Sequence, residues 1–270
     1  MELWIHSDDD RFKTVSPAEM FNRLILRIRA FVPVNGIKLQ SADRVRRAFC
    51  SILNAPNDIR LMIGEGRGFH QICDMLHEAG HALHYVNAES SLPFEFLKLG
   101  DESLTEGYAA LFENLIYDGS WLKSEFGINK IQKSELISFL KFYKLTKLRS
   151  IAVKAVYEND LYSGLTEEVL RLRYFTYYRQ HLGVDVNEYE FLAETEPFLF
   201  SLRYFRAQML ASNLRCKLET SFGSKWFEKS EAFKELLGLW KSGQQYSPEE
   251  ISESYCGKGL IEADLTSEFK

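Results

Sequence analysis

The sequence is poor in the residues that break a chain into short pieces. Six prolines and sixteen glycines in 270 residues leave room for long helices and argue against a fold of many turns. No apolar run approaches the roughly 18 residues of a membrane span. The opening Met1-Glu2-Leu3-Trp4-Ile5-His6, followed by Asp8-Asp9-Asp10, lacks the basic and apolar regions of a signal peptide. No CxxC pair occurs among Cys50, Cys73, Cys216 and Cys256. Neither a zinc knuckle nor a disulfide framework is therefore expected, and reduced thiols in a cytoplasmic setting are. Positive charge is not in excess either. A net charge of −5 points away from nucleic acid and from a membrane surface as partners.

Apolar material is plentiful. Hydrophobic residues make up 46%, with 20 Phe, 13 Tyr and 4 Trp, enough for a sizeable core. Ser16-Pro17-Ala18-Glu19 reads as a helix start with a capping box. Phe21, Leu24, Ile25, Ile28 and Phe31 then follow the spacing of a buried helix face, and Pro33 and Asn35-Gly36 end it. Arg44, Arg46 and Arg47 read as a solvated or salt-bridged face. In residues 57–64, Ile59, Leu61 and Ile63 alternate with Arg60 and Met62, as in a strand. Its edge is expected to be exposed, where an extended peptide can pair with it. Glycines 64, 66 and 68 turn the chain into a helix over about 69–85. A second helix reads over about 103–117. From about 133 onward the pattern stays helical, with segments at 167–181 and 196–218, and Ser247-Pro248-Glu249-Glu250 opens a short last helix. With no repeat or linker in view, the expectation is one mainly α domain over 1–270 with a small β-sheet, divided into a motif core at about 44–120 and a helical part at about 133–270.

The chemistry centres on His77-Glu78-Ala79-Gly80-His81. In a helix, residues four apart share a face. His77 and His81 can then grip one Zn²⁺, with Glu78 beside them as the general base toward a water. Two buried, hydrogen-bonded histidines would be the bland alternative. Gly80 argues against it, because a glycine inside a helix costs about 1 kcal/mol relative to alanine and calls for a reason such as a close helix crossing. Glu106-Gly107 lies twenty-five residues after His81, far enough for the chain to leave the helix and return beside it. Glu106 is the candidate third ligand, which leaves the fourth position open as catalytic zinc requires. Its other reading is a capping partner of Ser103, and Gly107 would permit a close approach.

The pair His77-Glu78-Ala79-Gly80-His81 and Glu106-Gly107-Tyr108-Ala109-Ala110-Leu111-Phe112-Glu113 resembles the gluzincin peptidases, whose third zinc ligand is a glutamate on a following helix with another glutamate seven residues on. Arg47-Ala48-Phe49-Cys50, the strand over 59–63 and His81-Ala82-Leu83-His84 extend the resemblance to the catalytic half of the M3 family, of the thimet oligopeptidase and oligoendopeptidase F type. Leu202-Arg203-Tyr204-Phe205-Arg206-Ala207-Gln208, ending near Ser221-Phe222-Gly223, is similar more loosely to that family's last active-site helix. M32 carboxypeptidases share the zinc layout and are the nearest alternative. The resemblance implies a zincin-like helical fold, one Zn²⁺ per chain, and cleavage of oligopeptides in a deep channel. Two departures stand out. M3 enzymes are considerably longer, and their N-terminal half forms the other wall of the channel; the chain then reads as a minimal relative, a fragment, or one whose channel a second copy or a separate N-terminal partner completes. Ser201 also stands where a tyrosine is expected.

The mechanism implied has Glu78 taking a proton from water and passing it to the leaving amine. Tyr204 is the candidate second donor to the oxyanion, with Tyr177, Tyr178 and Tyr189 as rivals and His181 as a helix-end residue. Glu113 and Glu102 are the candidates to brace a ligating histidine. His84 is placed on a cavity wall or at the partly exposed surface. Arg203 and Arg206 read as surface salt bridges. Two other classes stay open: a zinc-binding but non-catalytic protein that binds a peptide or partner, and a helical interaction protein in which the motif is accidental.

Overall fold

The computed structural model describes residues 10–42, 45–128, 130–193, 195, 197–261, 265 and 269, with backbone alone over 130–135. The helices among these are α1 Asp10–Lys13, α2 Pro17–Ile28, α3 Phe69–Val86, α4 Phe94–Lys98, α5 Glu102–Glu113, α6 Gly119–Phe126, α7 Lys130–Leu161, α8 Glu167–Leu182, α9 Phe200–Phe222, α10 Ser230–Trp240 and α11 Pro248–Ile251. The strands are β1 Ile37–Ser41, β2 Phe49–Asn54 and β3 Asp58–Ile63. The mainly helical architecture with one small sheet is as expected.

Local chemistry sets the ends of these elements. Ser16 caps α2 by accepting from the Glu19 N–H at 3.2 Å, with Pro17 in the first turn. The Glu19 carboxylate bonds Arg23 at 2.9 Å, a helix-surface ion pair four residues on. Asp101, not Ser103, caps α5, accepting from the Ser103 N–H at 2.9 Å. Ser247 forms the expected capping box with Glu250.

The sheet runs β1-β3-β2, with β1 parallel and β2 antiparallel to β3. Ile59, Leu61 and Ile63 are buried under α3, whose own apolar stripe is Ile72, Leu76, Ala79 and Leu83. The alternation in β3 is the mark of a strand with one buried face. Its edges are a different matter. β3 is the central strand, paired on both sides, so the sheet's edges belong to β1 and β2 instead. Arg46 and Arg47 are exposed, and Arg44 lies outside the described residues.

The main core runs from Phe12 to Ile251 and includes the fully buried Trp121, Trp226 and Trp240. A smaller cluster of Val153, Tyr157, Tyr174, Tyr178 and Phe191 joins α7 to α8. At the head of α9, Ser201 donates from N–H and Oγ to the buried Glu158 carboxylate, at 3.0 and 2.7 Å. A carboxylate at a helix N-terminus opposes the helix dipole favourably, which gives the serine a structural task where a tyrosine was expected. Cys50, Cys73, Cys216 and Cys256 form no disulfide. No described helix is long and apolar enough to cross a membrane.

Candidate metal centre

The site is built where α3 crosses α5. A Cβ on Gly80 would stand 2.6 Å from Ala109 Cα and 2.8 Å from Tyr108 O, so the helices meet backbone to backbone, as the cost of a mid-helix glycine implies. Gly107 also permits a close approach, as expected, but on the other side of α5. A Cβ there would meet Leu210 of α9 at 2.6 Å, so its close approach is to α9 and not to α3.

This crossing brings together the three side chains singled out in the sequence. His77 Nε2 lies 3.2 Å from one Glu106 oxygen and His81 Nε2 lies 3.5 Å from the other. One ligand atom from each of His77, His81 and Glu106 falls within 4.8 Å of the others, the one such cluster among the described residues. Metal–ligand bonds of about 2.0–2.1 Å in a tetrahedron put neighbouring ligand atoms about 3.3 Å apart, and each ring nitrogen lies near that distance from one of the two Glu106 oxygens. Glu106 Oε2 is buried and makes no well-aligned hydrogen bond; its near neighbour is His77 Nε2 at 3.2 Å. A cation held between the two rings and this carboxylate would satisfy all three groups. Two imidazoles and one carboxylate form a donor set suited to zinc.

The charges around the site have one direction. Burial works against charge on His77, but Glu106 and Glu113 outweigh it and push the imidazole up to about 10. Burial likewise raises Glu106, yet the two imidazoles bring it down to about 2. Between two ionised carboxylates, this position favours a positive charge. Glu78 is half-buried, and burial raises its carboxyl above the usual range against the pull of His81 and His77. The nearby Cys50 backbone N–H also favours its charged form, by the smallest of these effects, and β2 runs along the site.

The bracing residues are partly those expected. Glu113 bonds His77 Nδ1 at 3.0 Å and pairs with Lys147. Burial opposes its charge, but Lys147 and His77 hold it well below the usual carboxylate range. Glu102 is engaged elsewhere, with Arg203. His81 Nδ1 meets Thr105 Oγ1 at 2.9 Å, a contact that no spacing rule singles out in the sequence. Replacing Glu113 by glutamine is expected to weaken zinc binding about 10- to 100-fold, measured by competition with a chromophoric chelator.

His84 is a correction. It is neither on a cavity wall nor partly exposed, but fully buried, with Nδ1 3.2 Å from Thr105 Oγ1 and Nε2 3.1 Å from Gly243 O. Its place three residues beyond His81 turns it inward behind the site. Burial pushes its pKa down to about 3, below the roughly 6.5 of an unfolded chain. The unfolded state therefore takes up the proton first. Stability is full above about pH 6.5 and is lost as pH falls toward 3, by about 2 kcal/mol at pH 5. Denaturant unfolding across that window is expected to show a shallower acid limb in His84→Phe than in the wild type.

The other tyrosine candidates sit in the α7–α8 region. Tyr177 donates to Asp160 at 2.9 Å, Tyr178 is buried in the smaller cluster, and Tyr189 lies under the Arg171 guanidinium. His181 ends α8, its carbonyl accepting from Arg149. Tyr204 lies early in α9 with its ring edge-on to Phe200, centroids 5.1 Å apart. Arg206 pairs with Asp101 at 2.8 Å and with Glu249 at 2.8 Å, and Arg203 with Glu102, so both arginines form the expected salt bridges.

No family model matches the sequence, and no curated protein does. Solved structures match its fold. An M32 carboxypeptidase from Deinococcus radiodurans R1 is 16% identical, with a TM-score of 0.70 over 98% of this chain and 59% of that one. Trypanosoma cruzi metallocarboxypeptidase 1 is 15% identical, TM-score 0.68, covering 93% and 59%. A Pyrococcus furiosus carboxypeptidase is 17% identical, TM-score 0.67, covering 93% and 57%. The chain thus has the zincin-like fold of M32 metallocarboxypeptidases and spans under two thirds of their length. The sequence reading named M32 carboxypeptidases as its nearest alternative, and it is their fold that the chain matches here.

Proposed function

We propose that the chain is a zinc-dependent peptidase acting on oligopeptides in the carboxypeptidase manner, with His77, His81 and Glu106 holding one zinc. The observation that carries this reading is the convergence of His77, His81 and Glu106, one ligand atom from each lying within 4.8 Å of the others. Zinc, when bound, supplies a Lewis acid that polarises a carbonyl and brings the pKa of water to about 7. Glu78 takes the proton of the attacking water on its carboxylate and delivers it to the leaving amine. Its raised pKa suits both halves of that task. His77 and His81 are held in position by Glu113 and Thr105. Tyr204 is the proposed second donor to the developing oxyanion.

Removal of a C-terminal residue requires recognition of a free carboxylate, whereas an oligopeptidase of the M3 type cuts inside a chain. The test is zinc stoichiometry together with hydrolysis of paired peptides, one with a free C-terminus and one amidated. One zinc per chain with cleavage of the free peptide alone supports the carboxypeptidase reading. Cleavage of both supports the oligopeptidase reading. One zinc without turnover supports a non-catalytic peptide- or partner-binding role, or the need for a second copy or partner to complete the channel. Absence of zinc after reconstitution removes the proposal altogether.

A further inference from the structure

We propose that Thr105, His84 and the Gly243 carbonyl form a proton-ordered hydrogen-bond chain that fixes His81 in its Nδ1–H tautomer and presents a bare Nε2 to the metal; this deepens, and rests on, the zinc reading of the site. The ordering follows from what each group can do. The Gly243 carbonyl, 3.1 Å from His84 Nε2, only accepts, so His84 Nε2 carries a proton. His84 is fully buried, and the hydrogen bonds given to it among the described residues are to Thr105 and Gly243, neither of them charged. A buried neutral imidazole with a protonated Nε2 has a bare Nδ1, which only accepts. Thr105 has a single hydroxyl proton, and at 3.2 Å it goes to that nitrogen. Toward His81, at 2.9 Å, the threonine oxygen is left as acceptor. His81 Nδ1 is therefore the protonated nitrogen, and its Nε2 faces Glu106 at 3.5 Å with the lone pair that a metal takes.

The chain is anchored from a distance. The Tyr85 hydroxyl accepts from Gln244 Nε2 at 2.7 Å, which ties the C-terminal turn of α3 to the same loop. Gln244 is oriented in turn by the Gly100 N–H, 2.8 Å from its Oε1. Gly243 has φ +57°, and a Cβ there would meet Phe96 O at 2.5 Å. Only glycine adopts that conformation in that space without strain. The loop over 241–246, 159 positions from His84, thus acts on the site through Thr105. Thr105, His84 and Gly243 are positioning residues. They also make the two imidazoles unlike: His77 leans on a carboxylate, His81 on a neutral chain.

Two measurements test this. The first is ¹⁵N NMR of the metal-free full chain with labelled histidine. The expected result is His84 with Nε2 protonated and Nδ1 bare at neutral pH; an Nδ1–H tautomer or an imidazolium there overturns the proposal. The second is zinc affinity by chelator competition for the wild type, Thr105→Ser and Thr105→Val. Serine keeps the hydroxyl and is expected to bind as the wild type does, whereas valine is expected to bind about 10- to 100-fold more weakly. Valine binding as tightly as the wild type overturns the proposal. If the valine protein does not fold, the serine variant and the His84 tautomer decide. A wild type that binds no zinc defeats the reading of the site as a zinc centre, while the tautomer still decides the proton order.

Discussion

Glu78→Gln is expected to keep one zinc per chain while its kcat for peptide hydrolysis falls about 10²- to 10⁴-fold, the range associated with a positioned general base. Zinc retention follows from geometry: the candidate ligand atoms belong to His77, His81 and Glu106, and Glu78 is not among them. The loss of turnover follows from chemistry, because an amide has no basic oxygen to take a proton from water and none to give to the leaving amine. The amide is isosteric with the carboxylate, so the shape of the side chain is preserved while its proton affinity is lost. Metal content by atomic absorption and steady-state kinetics on the same preparation check both halves. A variant that hydrolyses peptides at the wild-type rate would remove Glu78 from the mechanism.

The second large effect is expected at Gly80, with a sign opposite to helix propensity. Glycine to alanine inside a helix ordinarily stabilises by about 1 kcal/mol. Here the added methyl would stand 2.6 Å from Ala109 Cα and 2.8 Å from Tyr108 O. Both are backbone atoms of α5 and cannot rotate away, so one helix has to move. Overpacking of this kind typically costs about 1–3 kcal/mol, and Gly80→Ala is expected to lie near the upper end, about 3 kcal/mol less stable by denaturant unfolding. The displacement acts on function as well, because α3 carries His77 and His81 while α5 carries Glu106. Zinc affinity is expected to fall together with stability, a joint loss that removal of a distant core side chain would not produce.

The candidate metal centre was legible because its signals are local. Two histidines four apart on an apolar helix, and a mid-helix glycine with no local excuse, each carry their reason within one turn of chain. Glu106 could be placed because a helix that returns alongside its predecessor needs only a loop of suitable length. Glu113 followed from being two turns further along the same face. What was not legible depends on partners. The close approach expected at Gly107 is there, but nothing in the glycine itself says which element it meets, and the structure gives it to Leu210 of α9. Thr105 is a hydroxyl beside a ligand, and its worth appears only when His84 and a carbonyl 159 positions from that histidine arrive behind it. The sheet shows the same division. β3 alternates cleanly, burying Ile59, Leu61 and Ile63, and reads as a strand. β2 leaves Phe49 and Leu53 half-exposed to solvent, at 48% and 55%, and its antiparallel seat beside the site is fixed by pairing, not by its own pattern.

The crossing at Gly80 is one-sided in what it asks of heredity. On α3 it demands a particular residue, since any side chain would strike the neighbour. On α5 it is met by a main-chain carbonyl and an α-carbon, atoms that every amino acid brings with it. Substitutions at 108 and 109 answer to the packing around their own side chains, and the crossing itself places no vote there. A lineage of such chains can therefore rewrite most of one helix while the spacing between the metal-gripping side chains stays put. The genetic constraint on that spacing rests chiefly on a single codon of α3.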